Sequence, residues 1–151
     1  MSVSFARDLA RALEFAGFGV LGGTGPGWSI QVSREPEEPP IDVITVYDTG
    51  TQEAPLTHLP FNRPTAQVRV RAQGYMAGHD RISNILEQLV GMDMSEILAS
   101  DLVSKYHSIQ VISGPIPIGR TDRDRFIFSL NLSAHQDVPD GVHRIRAGNT
   151  L

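Results

Sequence analysis

The chain has 151 residues, of which 40 % are hydrophobic and 20 % are charged, and its formal net charge is −4. This length and composition predict one soluble globular domain with its own core. The acidic balance argues against a protein that holds nucleic acid mainly by neutralising phosphates. Because the sequence contains no cysteine, disulfides, thiolate metal sites and a cysteine nucleophile are excluded. We find no apolar run long enough for a membrane span or a signal-peptide core, so we expect no membrane partner and no export.

The first half of the chain predicts one helix followed by three strands. Phe5, Leu9 and Leu13 recur at helical spacing, and Gly17 is the expected end of the helix. A glycine-rich connector follows, and a proline-rich stretch separates the first strand from the second. The expected strands, in which apolar and polar residues alternate, cover residues 28–33, 43–48 and 65–72.

The second half predicts a second helix and two further strands. The helix begins at Tyr75, carries apolar residues at helical spacing and ends at Gly91. The residues from Asp93 to Glu96 have the form of a capping box, which predicts one short additional helix. The expected strands cover residues 106–113 and 124–135, and the residues between them form a link.

Together these elements predict an α+β fold. A mostly antiparallel sheet, in the order α-β-β-β-α-β-β, carries both helices on its apolar face. We expect one domain with long loops over residues 1–135 and a loose C-terminal tail over residues 136–151. The other face combines apolar residues with Arg69 and Arg71, which point outward along one strand. A half-apolar second face in a small domain indicates that a partner subunit covers part of it.

Three sequence patterns resemble phosphate-binding or metal-binding motifs, but the residues around each of them do not fit such a motif. The glycines of residues 22–27 follow a helix and precede a strand, whereas a phosphate-binding loop needs the reverse order. The five histidines show no metal-binding spacing with one another or with carboxylates. Residues 121–125 lack the central glycine and distal glutamate of a calcium loop and predict a charged hairpin turn. We therefore expect no metal and no cofactor.

Asp48 ends an apolar strand and is followed by Thr49 and Gly50, a triplet that aspartic proteases also carry. Those enzymes need two carboxylates that share a proton, supplied by two such motifs or by a dimer. The residues that follow, 51–53, are polar in this chain. A turn in which the Asp48 side chain bonds its own backbone and Gly50 takes a positive φ explains the triplet without catalysis.

Several motifs, taken in order, resemble the tail-terminator proteins of long-tailed, siphovirus-type bacteriophages. In the first half they are Pro40, residues 44–50, residues 63–71 and the helix that follows. In the second half they are residues 106–109, Pro115 or Pro117, Gly119, Arg120 and the stretch from Arg125 to Asn131. The resemblance covers roughly residues 3–135, with a longer link at 92–104 and a tail that has no counterpart.

This resemblance implies a structural virion protein that is not an enzyme. Such proteins assemble as a six-membered ring on the head-proximal end of the tail tube, stop its polymerisation and meet the head connector. The implied partners are further copies of the chain, the tail tube protein and a head-closure or connector protein, while DNA only passes through the lumen. The implied location is the tail–neck junction of the virion, after assembly in the host cytoplasm.

Two groups of residues are candidates for assembly contacts. The candidates for a subunit or tube interface lie in and around the long loop after the second strand, and they are Asp48, Leu56, Leu59, Phe61 and Arg63. The candidates for the ring face or its lumen are Arg69, Arg71 and Arg120. In this interpretation Asp48 begins an assembly loop and is not a nucleophile.

Other classes of function stay open at this point. A head-closure or tube protein of a phage would share the same small layout. An enzyme would be an acid protease that uses Asp48, or a small hydrolase that uses His79 and Asp80. A host regulatory domain unrelated to phages is a further alternative, and the neighbouring genes would identify it.

The segment from Thr49 to Arg63 gives the first prediction. It is long for a connection in a small domain, and its prolines and isolated apolar side chains suit a segment that becomes ordered on contact. We expect fast amide exchange there in the free protein and protection in an assembled ring, measured by hydrogen–deuterium exchange mass spectrometry. Equal protection in the two states would contradict ordering on assembly.

Overall fold

A computed structural model describes residues 4–51, 61–91 and 106–137. These residues form two helices and seven strands. In chain order they are α1 (Phe5–Phe15), β1 (Val20–Leu21), β2 (Ser29–Val32), β3 (Val43–Thr51), β4 (Phe61–Asn62), β5 (Pro64–Ala72), α2 (Tyr75–Gly91), β6 (Tyr106–Arg120) and β7 (Phe126–Asp137). The α+β class and the two helices are confirmed, and the predicted order gains two short strands, β1 and β4.

The seven strands form one sheet. Its order is β1-β2-β3-β5-β7, and both β4 and β6 pair with β7. β3, β5, β7 and β6 are antiparallel neighbours, so the sheet is mostly antiparallel, as the sequence predicts. β1, β2 and β3 are instead parallel to one another. Parallel neighbours require the chain to run back along the sheet between strands, and this arrangement was not predicted.

Both helices pack on the same face of the sheet. α1 contacts β1, β2, β3 and β5, and α2 contacts β5, β6 and β7. Gly78 of α2 is buried, and a Cβ atom there would lie 2.7 Å from the ring of Phe128, so this glycine lets the helix approach the sheet closely. The largest fully buried side chains between the layers are Phe5, Leu9, Leu13, Ile30, Ile44, Ile82, Ile85, Leu89, Phe128, Leu130 and Leu132.

The ends of α1 follow from its sequence. Ser4 is the N-cap residue. At the other end Gly17 adopts a φ of +89°, which confirms it as the end of the helix. The backbone N–H groups of Gly17 and Phe18 donate to the carbonyls of Glu14 and Leu13, each at 3.0 Å. This Schellman arrangement pairs carbonyls that the last turn would otherwise leave without partners.

A proline-rich strap, residues 33–42, returns the chain from the end of β2 to the start of β3. It is held by Arg71, whose guanidinium donates to three of its carbonyls: Pro36 at 2.7 Å, Pro40 at 2.6 Å and Ile41 at 3.3 Å. Arg71 is 5 % exposed. The strap therefore covers this part of the second sheet face, and the parallel pairing of β2 with β3 depends on its path.

Two carboxylates strengthen the attachment of the strap. Glu35 lies 3.7 Å from the Arg71 guanidinium, which partly neutralises the buried charge. Glu38 accepts a hydrogen bond of 2.8 Å from Arg125, and the two side chains are only 10 % and 18 % exposed. Arg125 precedes β7, so the strap is tied both to the centre of the sheet and to the turn between β6 and β7.

Several strand boundaries differ from the prediction. β3 continues through Thr51, and β7 continues through Gln136 and Asp137, which were assigned to the tail. β6 continues through residues 114–120, which were assigned to a link. Its prolines argued against a strand, because proline cannot donate a backbone hydrogen bond, but an edge strand tolerates proline. The additional helix expected from Asp93 and the tail from residue 138 onward lie outside the described residues.

The buried position of Arg71 gives the second prediction. Removing the guanidinium in Arg71→Met leaves three carbonyls without their donor and Glu35 without its partner. Breaking a buried, hydrogen-bonded pair costs about 3–5 kcal/mol, so we expect a loss of that order in the free energy of unfolding. Chemical denaturation followed by circular dichroism measures it.

Arg69→Ser is the matched control, because Arg69 lies two residues earlier on the same strand face and is only half-buried. Single substitutions outside a buried network typically cost about 1 kcal/mol, so we expect a smaller loss than for Arg71→Met. Equal destabilisation by the two substitutions would contradict the role given to Arg71.

Candidate functional site

Asp48 caps the N-terminus of α1. One carboxylate oxygen accepts the Ser4 hydroxyl at 2.6 Å, and the other accepts the backbone N–H of Ala6 at 2.9 Å. The Ser4 hydroxyl in turn accepts the backbone N–H of Arg7 at 3.1 Å. A carboxylate at this point also complements the positive end of the helix dipole. Both oxygens of Asp48 are therefore engaged in holding a helix against a strand.

The backbone around Asp48 is an irregular strand and not the predicted turn. The pairing of β3 with β5 shifts register between Asp48 and Gly50, and Gly50 adopts the predicted positive φ, at +104°. The Asp48 side chain bonds the helix instead of its own backbone, so that part of the prediction is wrong. The Thr49 hydroxyl donates to the Thr65 hydroxyl at 2.7 Å and ties the irregularity to β5.

The second sheet face carries a polar cluster beside the strap. Thr45 is fully buried, and Arg69 lies opposite it on β5. The Thr45 hydroxyl and the Nε atom of Arg69 are buried without hydrogen-bond partners among the described residues. Burial raises the pKa of Tyr47 above its usual range; the charge of Glu35 raises this pKa further, and Arg69 opposes both effects.

The prediction that Arg69 and Arg71 both point outward is half wrong. They do share one strand face, but the strap buries Arg71 and leaves Arg69 partly accessible. Arg71 is therefore no longer a candidate for an exposed residue of the ring face. The predicted place of Arg69 at the ring face or lumen stays a prediction.

Arg63 lines a polar cavity next to β6 and β7. Its Nε atom donates to Nε2 of His135 at 3.1 Å. Gln110, Ser133 and Ala134 complete the lining of a cavity of about 210 Å³. The structure therefore joins Arg63 to the end of the sheet where β7 meets β4.

The remaining candidates near Arg63 are only partly described. The backbone of Phe61 belongs to β4 and pairs with Asp137. Leu56 and Leu59 lie outside the described residues. The interface role of these three residues stays a prediction.

Arg120 ends β6 and its side chain is 61 % exposed, and its place at the ring face or lumen stays a prediction. Its guanidinium lies 3.7 Å from Asp124 and 5.7 Å from the ring centre of Phe126. The expected hairpin turn is confirmed, because the backbone N–H of Thr121 donates to the carbonyl of Arg125 at 2.8 Å. The turn holds Arg120 at one corner of the sheet.

The other candidate chemical groups of the described residues show no metal-binding arrangement. Within them, no three histidine, aspartate or glutamate side chains are placed to hold a metal ion. His79 lies 3.5 Å from Asp80, with side chains that are 49 % and 66 % exposed. The glycine-rich residues 22–28 connect β1 to β2, and their setting is not that of a phosphate loop. No helix in the described ranges is long and apolar enough to cross a membrane.

Exposed apolar side chains of the described residues lie on α2, where they are Tyr75, Met76 and Val90, and at both edges of the sheet. Four of them belong to β6, and two others lie at the β1 edge. They are Val111, Ile112, Ile116 and Ile118 on β6, and Phe15 and Val20 at the β1 edge. Such side chains on an exposed strand edge are typical of a surface that meets another protein.

A small α+β chain with apolar sheet edges, in which both Asp48 carboxylate oxygens are hydrogen-bonded to a helix, is typical of proteins that act by assembly. Comparison with known families agrees. Over residues 12–138 the chain matches the family model described as "Bacteriophage tail terminator protein", and it belongs to that family. Membership makes it a component of the phage virion. A search of curated proteins found no match.

The third prediction concerns the cap on α1. Asp48→Ala removes two hydrogen bonds from the helix N-terminus, and loss of a cap costs about 1 kcal/mol of stability. Asp48→Asn keeps an acceptor and should cost less. Thermal unfolding measures both, and Ser4→Ala is the matched control from the same cap.

The same variants separate a cap from a catalytic acid. If phage carrying Asp48→Asn form plaques normally, the cap is the role of this residue. Full stability of Asp48→Asn combined with complete loss of plaques would contradict it and indicate a chemical role or the predicted assembly contact.

Proposed function

We propose that this chain forms a ring of six copies on the head-proximal end of the phage tail tube. The ring stops polymerisation of the tube and joins the tail to the head connector. The observation that carries this proposal is membership of the tail terminator family over residues 12–138. The siphovirus type of the phage and the count of six come from the motif resemblance.

The proposed partners are further copies of the chain, the tail tube protein and a head-closure or connector protein. The apolar sheet edges supply lateral surfaces for neighbouring copies. The net charge of −4 suits a lumen through which DNA passes without being held, because tight binding would need clustered basic residues. The proposed location is the tail–neck junction.

The proposed function requires no catalysed reaction. The geometry of Asp48 supports this, because both of its carboxylate oxygens accept hydrogen bonds from the start of α1. A nucleophile or general base needs an oxygen directed at a substrate. A structural role for the Asp48 triplet is consistent with a protein that acts only by assembly.

Assembly of such a ring has to wait for a finished tube. The exposed apolar side chains of the described residues are distributed over the two sheet edges and α2, which favours a free subunit that stays apart from its neighbours when dilute. Fixing a residue costs about 1–2 kcal/mol of conformational entropy, which two free subunits would have to offset alone. A tube end holds several subunits at once and lowers that cost through multivalency.

The fourth prediction tests the function directly. We expect purified protein to be monomeric at low concentration in analytical ultracentrifugation and to form rings on tube ends or at high concentration in electron microscopy. Deletion of the gene should give filled heads that are not joined to tails and tubes of irregular or excessive length. A plasmid copy of the gene, supplied as a control, should restore joined virions.

One result would overturn the proposal. If the deletion strain makes tails of normal length that are correctly joined to heads, the chain does not terminate tails. A role as a tube or neck component would then replace the one proposed.

A further inference from the structure

The two edges of the sheet carry exposed apolar side chains that the monomer does not cover. On β6, Ile112 and Ile118 are 48 % and 50 % exposed. At the β1 edge, Val20 is 60 % exposed and Phe15, the last residue of α1, is 67 % exposed. Glu14 fixes α1 to this edge, because its carboxylate accepts the backbone N–H of Leu21 at 2.7 Å.

The β6 edge lacks the charges that usually protect an exposed strand. From Ile109 to Gly119 the strand contains no charged residue. Natural edge strands commonly use lysine or proline to prevent pairing with other chains. Here Pro115 and Pro117 remove two backbone donors, so side chains and not a continuous ladder are the means of contact.

The two edges are aligned with each other across the sheet. One row of paired residues runs from edge to edge through Val20, Ser29, Val43, Arg71, Ile127 and Gly119. The six strands in this row span about 24 Å at about 4.8 Å per strand. If copies are related by rotation about an axis along the strands, Gly119 of one copy meets the next copy at the level of its Val20.

The charges at the two edges of the sheet have opposite signs where the edges are aligned. The C-terminus of α1 carries the negative end of a helix dipole, and Glu14 adds an acid there, with no basic residue in the last turn. β6 ends at Arg120, whose side chain is 61 % exposed, one residue beyond Gly119. The exposed Arg120 of one copy, which lies 3.7 Å from its own Asp124, is therefore level with the acidic C-terminus of α1 in the next copy.

We propose that the β6 edge of one copy docks on the β1 edge of a second copy, with Ile118 and Arg120 against Val20, Phe15 and Glu14. This pairing uses two different surfaces, so it repeats head to tail and closes into a ring when the rotation permits. It rests on the proposed ring function and names the surfaces that build the ring.

Cysteine cross-linking tests this pairing, because the chain has no cysteine of its own. Purified full-length Val20→Cys and Ile118→Cys are mixed in equal amounts under ring-forming conditions and treated with a short bis-maleimide. Ile112→Cys replaces Ile118→Cys in the control mixture. Ile112 is almost equally exposed on the same strand. The residues of β7 opposite Ile112 and Ile118 are about four positions apart, so Ile112 lies about 13 Å further along the sheet, at about 3.3 Å per residue.

We expect at least about tenfold more covalent dimer from the Val20→Cys and Ile118→Cys mixture than from the control, because docking raises the local concentration of the two thiols. The double variant should give a ladder of bands that stops at the number of subunits in the ring. Each single variant, treated alone, should give little dimer. Thermal unfolding of every variant verifies the fold before cross-linking.

Two results would overturn the pairing and leave the ring function intact. The first is rings in electron microscopy with equal cross-linking of both mixtures. The second is efficient dimer formation by Ile118→Cys alone, which would mean that β6 pairs with β6. If wild-type protein forms no rings at high concentration or on tube ends, the proposed function fails, and the pairing fails with it.

Discussion

The buried guanidinium of Arg71 is the interaction on which the rest of the sheet depends. A charge that is 5 % exposed is tolerated only if it is paired and hydrogen-bonded. Here each of the three guanidinium nitrogens donates to a strap carbonyl, and Glu35 lies 3.7 Å away. With the strap fixed, the chain can enter β3 beside and parallel to β2. β1 then lies at the outer edge of the sheet. One side chain near the end of β5 thus determines which strand forms this edge of the sheet.

Local periodicity was sufficient to predict most of the fold. The helical spacing of Phe5, Leu9 and Leu13 and the alternation along residues 65–72 are set by burial on one face, so each can be recognised without knowing its partners. The parallel strands could not be recognised in this way. β1 has two residues, too few to show alternation, and the path of the strap depends on Arg71, which is about thirty residues away from it in the chain.

The candidate site was less accessible to sequence reasoning, since it depends on pairs of residues far apart in the chain. Asp48 was assigned to a turn that bonds its own backbone, but its side chain bonds the helix cap Ser4, 44 residues earlier. Arg71 looked exposed because it alternates with core residues, and nothing local showed that the strap covers it. The apolar edge on β6 was missed because its prolines resemble a loop. Family resemblance supplied the function because it draws on the order of many weak motifs.

The cap on α1 also constrains how the chain folds during synthesis. α1 leaves the ribosome early, but its N-terminus lacks the Asp48 carboxylate until β3 has been made. An isolated helix of eleven residues is marginal in water, so α1 gains lasting structure only when it docks on the sheet. The N-terminal helix is therefore completed late, together with the hairpin of β3 and β5. A truncated chain that ends before β3 should carry no stable α1, so incomplete copies would lack the β1 edge and could not enter an assembly.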